Sequence, residues 1–299
     1  MALSKLSGDE QGIVFSKLCN TLEPRVAVAL SSANHELRQL TQPLLQQLRA
    51  EYEAATALCL KAGVQSCKEL REAKVIRWLN IGLSAADLAL LGKLGSVLPA
   101  LEKLCLGNSA TGPDGVQRLA ERLGAGMLPA VTWLELEHMH VGDAGASALA
   151  AALGRGALPR LQSLLLTYAD ISDAGLVALA PALRRRPALG RLYLCGTECS
   201  DESITALVAP PPPAGALPPP TAVLAKLKRL DLSDTQISDA GCAALAFALD
   251  SGSLPALENL LLDGIPASAA AKATVQEALQ RSMLRKCLDE LVLATPLKV

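Results

Sequence analysis

Residues 226–253 read KLKRLDLSDTQISDAGCAALAFALDSGS, and the two halves of this stretch follow different periodicities. The first half spaces its leucines as L-x-x-L-x-L, which places the last two on one face of a short β-strand. The second half repeats apolar residues every three or four positions, as a helix with one buried side does. Ser238 and Asp239 precede this helix, where they supply acceptors and negative charge to its N-terminus. A single strand–helix unit cannot cover its own apolar side, so the pattern requires neighbouring units.

The same pattern recurs along the 299-residue chain. Helical halves GVQRLAERL, GASALAAAL, GLVALAPAL and GCAALAFAL follow four of the strand motifs in register, and we expect glycines to end helices at Gly124, Gly154 and Gly252. The strand motif, with Ile or Val allowed, begins at eight positions: Ile76, Leu101, Val131, Leu161, Leu189, Leu227, Leu257 and Leu288. The sequence therefore predicts eight stacked strand–helix units.

This motif resembles the leucine-rich repeat, and the period near 30 residues with a full helix resembles its ribonuclease-inhibitor type. The resemblance covers residues 75–299 and implies an α/β fold. That fold is a leucine-rich-repeat solenoid with a parallel β-sheet on the concave side and helices on the convex side. The family places Asn, Cys or Thr three residues after the last strand leucine, where the side chain bonds backbone. Met139, Ala169 and Ile265 hold that position in three units, so we expect an incomplete ladder there.

The fifth unit carries a proline-rich insertion at residues 209–221. Its helix, SITALVAP, runs into PPPPAGALPPPT, and seven of the chain's 18 prolines lie between Pro210 and Pro220. Proline removes backbone donors and fixes φ, which predicts an extended segment here. Two hypotheses stay open: a surface insertion without function, and a docking segment for a proline-recognition domain.

The first 74 residues do not repeat and show helical patterns. We predict a helical N-terminal cap over residues 1–74, because a solenoid must cover the apolar end of its first unit. Within this region, GIVFSKLCNTLEPRVAVALSSANHELRQL (residues 12–40) resembles an F-box, a family whose helical hairpin binds a scaffold protein. That resemblance implies an alternative function, substrate adaptor of a ubiquitin ligase. A GTPase-activating protein of the Ran type, which uses similar repeats, ranks third because the acidic tail expected after such repeats is missing.

The composition and motifs argue against several functional classes. No catalytic constellation or phosphate-binding loop is found, so the chain is predicted to be non-enzymatic and without a cofactor. The net charge of −1 gives no attraction to nucleic acid or to an acidic membrane surface. No apolar run reaches the ~20 residues that span a bilayer, and the eight cysteines lack paired spacing. His138 and His140 have no further ligand at zinc-finger spacing, so a solvated or packed turn without a metal is favoured. A soluble cytoplasmic protein is expected.

Function is therefore expected on the concave face, where the repeat directs variable residues outward. Aromatic and Arg side chains are the usual anchors of protein interfaces, and several occupy these positions. The candidate protein-binding site comprises Lys103, Trp133, Glu135, Glu137, Arg191, Tyr193, Arg229 and Asp231. Trp78 takes an outward position in the first unit, where binding and packing beneath the cap are both open hypotheses. The predicted function is a non-enzymatic scaffold that binds a partner protein, with no nucleic-acid or membrane partner.

Overall fold

The computed structural model describes most of the chain. Its described residues are 14–15, 19–32, 35–107, 111, 114–208 and 224–294. The proline-rich insertion predicted at 209–221 lies outside these residues.

Strands and helices alternate after a helical N-terminal region. That region contains α1 (Arg25–Ser32), α2 (His35–Lys61) and α3 (Cys67–Glu72). The strands are β1 (Val75–Leu79), β2 (Lys103–Gly107), β3 (Trp133–Glu137), β4 (Ser163–Leu165), β5 (Arg191–Tyr193), β6 (Arg229–Asp231) and β7 (Asn259–Leu261). The intervening and final helices are α4 (Ala85–Leu94), α5 (Asp114–Arg122), α6 (Gly142–Gly154), α7 (Asp173–Arg184), α8 (Asp201–Leu207), α9 (Asp239–Asp250) and α10 (Ala269–Ala294).

The seven strands form one parallel sheet in the order of the sequence, from β1 to β7. Each strand pairs with the next without a register shift, so Leu104, Leu134 and Leu164 lie in one row across the sheet. Leu104, Leu134 and Leu164 of the repeat motif point toward the helices and are at most 2 % exposed. One continuous apolar core runs from Leu22 to Leu279. This repeating α/β arrangement is the predicted leucine-rich-repeat solenoid.

The first unit has a different register from the predicted one. Ile76 pairs with Leu104 and Trp78 pairs with Leu106, so the strand motif starts three residues earlier than Ile76. Trp78 therefore faces the core and is only 3 % exposed. The prediction of an outward Trp78 is wrong, because Ile76, Leu79 and Ile81 imitate the motif while packing selects the alternative with the indole inside.

The eighth predicted unit does not form a strand. Leu288 lies in α10, which continues from Ala269 to Ala294. The leucines at 288 and 291 are three residues apart, a spacing that a helix accommodates as well as a strand does. In this part of α10 the polar side faces the solenoid, since Lys286 pairs with Glu258 at 3.0 Å. Leu284 and Leu288 are 65 % and 60 % exposed.

The turns after the strands confirm that the hydroxyl ladder is incomplete. Thr197 and Thr235 are buried, and each donates a hydrogen bond of 2.7 Å to a strand carbonyl three residues earlier. Met139, Ala169 and Ile265 replace this hydrogen bond with apolar packing. The predicted left-handed glycine is found at Gly252 (φ +76°). In the second and third strand–helix units the left-handed residue is instead two positions beyond the predicted glycine, at Gly126 and Gly156.

Aspartates at the helix N-termini connect successive units, and we call these contacts the Asp bridges. Asp143 accepts from Ser172 N at 2.9 Å and from Ser172 Oγ at 2.6 Å, one unit further along the chain. The same contact recurs between Asp173 and Ser200, between Asp201 and Ser238, and between Asp239 and Ser268. Each bridge therefore joins a helix N-terminus to the following one.

The Asp bridges also account for the glycine two residues after Asp173 and after Asp239. Gly241 N donates to Asp201 Oδ1 at 2.9 Å, and a Cβ at this glycine would overlap the same oxygen. Gly175 stands in the same relation to Asp143. Partial burial raises the pKa of Asp173, but hydrogen bonds from Ser200 and Ser203 outweigh burial and hold this pKa below its usual value.

Arginines make the complementary contacts at the helix C-termini, and we call these the Arg bridges. Arg155 donates to Ala120 O at 2.9 Å and to Leu123 O at 3.0 Å, at the end of the preceding helix. Arg186 donates to Leu153 O and Ala157 O, and Arg285 donates to Leu249 O and Asp250 O. Negative charge at N-termini and positive charge at C-termini both oppose the helix dipoles favourably. Each bridge also satisfies carbonyls that a helix end leaves without partners.

Helices α2 and α3 contact the first strand–helix unit. Leu58 and Leu70 are at most 1 % exposed and belong to the same core as the strand leucines. Lys61 pairs with Asp87 of α4 at 2.7 Å. None of the described helices is long and apolar enough to cross a membrane.

Candidate functional site

The open face of the sheet carries the strand side chains that point away from the helices. Its first row, at the strand starts, is Val75, Lys103, Trp133, Ser163, Arg191, Arg229 and Asn259. Its second row is Arg77, Cys105, Glu135, Leu165, Tyr193, Asp231 and Leu261. This open face corresponds to the concave face of the predicted solenoid.

Trp133 is held by a neighbour on each side. The Lys103 ammonium on β2 lies over the indole, with Nζ 5.7 Å from the ring centroid. The indole Nε1 donates to Glu135 Oε2 at 2.9 Å on the same strand. The ring remains half-buried, so part of its apolar surface stays open to a ligand. Its orientation is thus fixed before anything binds.

A second pair of the same kind lies two strands away. The Arg229 guanidinium on β6 lies over Tyr193 on β5, with Cζ 5.5 Å from the ring centroid. Arg191 Nη1 donates to Ser163 Oγ at 3.4 Å. Arg229 Nε is enclosed without a hydrogen-bond acceptor. The half-buried Tyr193 ring and the two guanidinium groups form one cluster over β4, β5 and β6.

Charge is distributed unevenly over the open face. The first row carries the cations Lys103, Arg191 and Arg229, whereas the second mixes Arg77 with the acidic Glu135 and Asp231. Cys105 lies in the second row beside Glu135 and is 4 % exposed. Burial and the adjacent Glu135 carboxylate raise the pKa of the Cys105 thiol to about 11, so it stays protonated and unreactive near neutral pH.

All eight residues of the predicted site lie on β2, β3, β5 and β6. The structure divides them into two groups. The Trp133 group contains Lys103 and Glu135, with Glu137 further along β3; the Tyr193 group contains Arg191 and Arg229, with Asp231 beside them on β6. Whether they bind a protein stays a prediction. Ser163, which positions Arg191, was not among the predicted residues, and only the register reveals its role.

A further aromatic contact lies at the turns following β3 and β4. The rings of His138 and Tyr168 stack at 4.7 Å with an interplanar angle of 2°. His140 pairs with Asp170 across the same two turns. Among the described residues, no three His, Cys, Asp or Glu side chains are grouped as metal ligands. Both histidines lie in turns and are exposed to solvent.

Comparison with known proteins agrees with the fold. Residues 158–180 and 223–246 match the family model described as "Leucine Rich repeat". These segments include β4 and β6 with the starts of the helices that follow, so the matched residues fall on the repeating strand–helix units of the fold.

No curated protein matches the chain. A solved structure titled "Leiomodin-1 Actin-Binding Site 2 (ABS2)" is similar at 17 % identity, covering 70 % of this chain and 96 % of that one, with a TM-score of 0.38. A likeness at this level carries no information about what the present chain binds.

Proposed function

We propose that this protein is a non-enzymatic interaction scaffold that binds a partner protein on the open face. The observation that carries the proposal is the pair of half-buried aromatic rings, Trp133 and Tyr193, each covered by a cation from a neighbouring strand. Aromatic side chains of this kind supply most of the binding energy at many protein interfaces. Rings that are already oriented lose little further conformational entropy on binding.

The arrangement of the units supports a rigid platform. The Asp bridges and the Arg bridges together fix α6 to α7 and α9 to α10 at both ends, and the sheet has no register shift between β1 and β7. Binding residues that stand on rigid strands keep their spacing more closely than residues on loops do.

In this proposal the N-terminal region serves as a cap and does not bind the partner. We assign residues 1–74 as a cap of the solenoid that begins at residue 75, because Leu70 and Leu58 complete the core of the first unit. The full helices and the period near 30 residues favour the ribonuclease-inhibitor type of repeat. All eight cysteines are free, which favours a reducing, cytoplasmic location. The F-box and Ran-type alternatives rest on sequence resemblance, and no contact in the described residues favours either.

Affinity capture with quantitative binding tests the proposal. We expect Trp133→Ala or Tyr193→Ala to weaken binding of the captured partner by about 2 kcal/mol or more, as at an interface hot spot. Phe247→Ala is the matched control, because this aromatic is 64 % exposed on α9, on the helical side of the protein. Deletion of residues 210–220 tests the competing hypothesis that the partner binds the proline-rich insertion. A partner that is lost on this deletion but insensitive to both aromatic substitutions contradicts the assignment of the open face.

A further inference from the structure

Two arginines stand side by side on the open face. Arg191 on β5 and Arg229 on β6 are register partners, so their backbones lie about 4.8 Å apart. Like charges directly opposite each other on neighbouring strands repel and destabilise the sheet. A sequence that retains both arginines therefore keeps an unfavourable pair.

Neither guanidinium is neutralised within the described part of the chain. No carboxylate there lies within ion-pair distance of Arg191 or Arg229, whereas the adjacent Lys228 pairs with Glu258 at 3.6 Å. Asp231 shares the strand with Arg229, but its Oδ1 accepts from Ser233 N at 3.1 Å. Within the described residues the arginine pair thus has no carboxylate as an ion-pair partner.

Both side chains are nevertheless held in place. The Tyr193 ring lies beneath the Arg229 guanidinium, and Ser163 accepts a hydrogen bond from one terminal nitrogen of Arg191. Arg229 Nε lacks an acceptor, which is costly for a buried donor. Guanidinium groups present several donors in one plane and match the geometry of an oxyanion. Two of them, fixed on adjacent strands, provide donors to one bound group from both sides.

We propose that Arg191 and Arg229 form an oxyanion subsite that accepts a side-chain carboxylate of the partner protein. This inference rests on the proposed function of the open face and names the chemistry that the partner must present there. A carboxylate fits better than a phosphate because Asp231 lies on β6 and Asp263 follows the end of β7 by two residues, and a doubly charged group suffers stronger repulsion from them. The partner therefore places an Asp or Glu over β5 and β6, next to the Tyr193 ring.

The subsite can be tested without knowing the partner. The probe is a terminally blocked Gly-Ser-Glu-Glu-Ser-Gly peptide, and its Gln-Gln counterpart is the uncharged control. The Nε–Hε NMR signals of Arg191 and Arg229, assigned by loss in Arg191→Gln and Arg229→Gln, report binding to the full chain. We expect the Glu peptide to shift both signals and the Gln peptide to shift neither. In Arg229→Gln the affinity measured at the Arg191 signal should fall about tenfold, the value of one charge-assisted contact.

Arg185→Gln is the matched control, since Arg185 is an exposed arginine at the end of α7 and carries the same charge. It should leave the affinity unchanged. Equal shifts with both peptides, no shift at millimolar Glu peptide, or an equal loss in Arg185→Gln would each overturn the subsite. A response to inorganic phosphate but not to the Glu peptide overturns the assignment to a carboxylate.

The two proposals fail in different ways. A captured partner that depends on Trp133 and Tyr193 but tolerates loss of both arginines overturns the subsite and leaves the proposed function in place. Peptide binding at the arginines, with partner capture that ignores Trp133 and Tyr193, contradicts the wider assignment of the open face instead.

Discussion

Replacing Asp201 with alanine should weaken the energetic coupling between its own unit and the next unit of the solenoid. Its carboxylate accepts from Ser238 N at 2.8 Å, Ser238 Oγ at 2.5 Å and Gly241 N at 2.9 Å, all in the next unit. Hydrogen bonds to a charged acceptor contribute about 1.5–3 kcal/mol each when buried. Asp201 is only half-buried, and water replaces part of what is lost. We therefore expect Asp201→Ala to lower the free energy of unfolding by about 3 kcal/mol.

Glu202→Ala is the control that isolates the bridge. Glu202 follows Asp201 in the first turn of α8, is exposed, and carries the same charge near the same helix N-terminus. Loss of this carboxylate should remove only its interaction with the helix dipole and lower the free energy of unfolding by about 0.5 kcal/mol. Asp201→Asn retains one carbonyl acceptor, so its stability should lie between those of Asp201→Ala and Glu202→Ala.

Urea denaturation followed by circular dichroism measures these differences, and hydrogen exchange locates them. Stacked repeats are stabilised by the interfaces between neighbours, so exchange should accelerate first in β6, α9 and later elements. For a chain of this size, a loss of 3 kcal/mol corresponds to a decrease in melting temperature of about 5 °C. An Asp201→Ala protein no less stable than Glu202→Ala would show that the Asp bridges do not couple the units.

Three further predictions concern other parts of the fold. Because hydrogen bonding holds the pKa of Asp173 low, the stability advantage over Asp173→Asn should be complete above the carboxyl's ordinary pKa of 3.8. In acid titrations followed by urea melts, it should disappear as the pH falls through the lowered folded-state pKa. Gly196→Ala should destabilise by about 2 kcal/mol or more, since a Cβ would overlap a tyrosine ring. Gly82→Ala, at a similar φ but in open space, should lose only about 1 kcal/mol for left-handed strain, and equal losses would exclude the clash. Leu70→Ala should cost about 3 kcal/mol and exposed Leu60→Ala almost nothing; similar melting curves for the two would place α3 outside the shared core.

The units from β2 to β7 follow directly from the sequence because their leucines satisfy only the strand period. The two ends of the array were less predictable for a physical reason. At Ile76 and at Leu288, apolar residues fit more than one register or more than one secondary structure. Packing then decides: Trp78 fills the core under α2 and α3, and Leu288 continues a helix that begins at Ala269.

The sequence predicted which residues of the candidate site lie on the open face, but it did not predict the contacts between their side chains. Period-two alternation identifies Trp133 and Tyr193 as outward residues. That Lys103 covers one ring and Arg229 the other depends on the side-chain directions of neighbouring strands. The Asp bridges were missed because Asp239 was interpreted as serving its own helix. The recurrence of Asp and Ser at the same phase of successive units was the available signal.

Because of the Asp bridges, evolution or design can change the number of units without creating new contacts at the helix N-termini. Each aspartate depends on a serine one period away, and each serine immediately precedes the next aspartate in three successive units. Excision of residues 173–200 would join Ser172 to Asp201, leaving Ser172 with its donor contacts to Asp143 and Asp201 with its acceptor role toward Ser238. The shortened array would lose one strand, and with it Arg191, Tyr193 and the Arg bridge made by Arg186, while every remaining Asp bridge kept both of its partners. The length of the open face can therefore change while the Asp bridges between the remaining units stay the same.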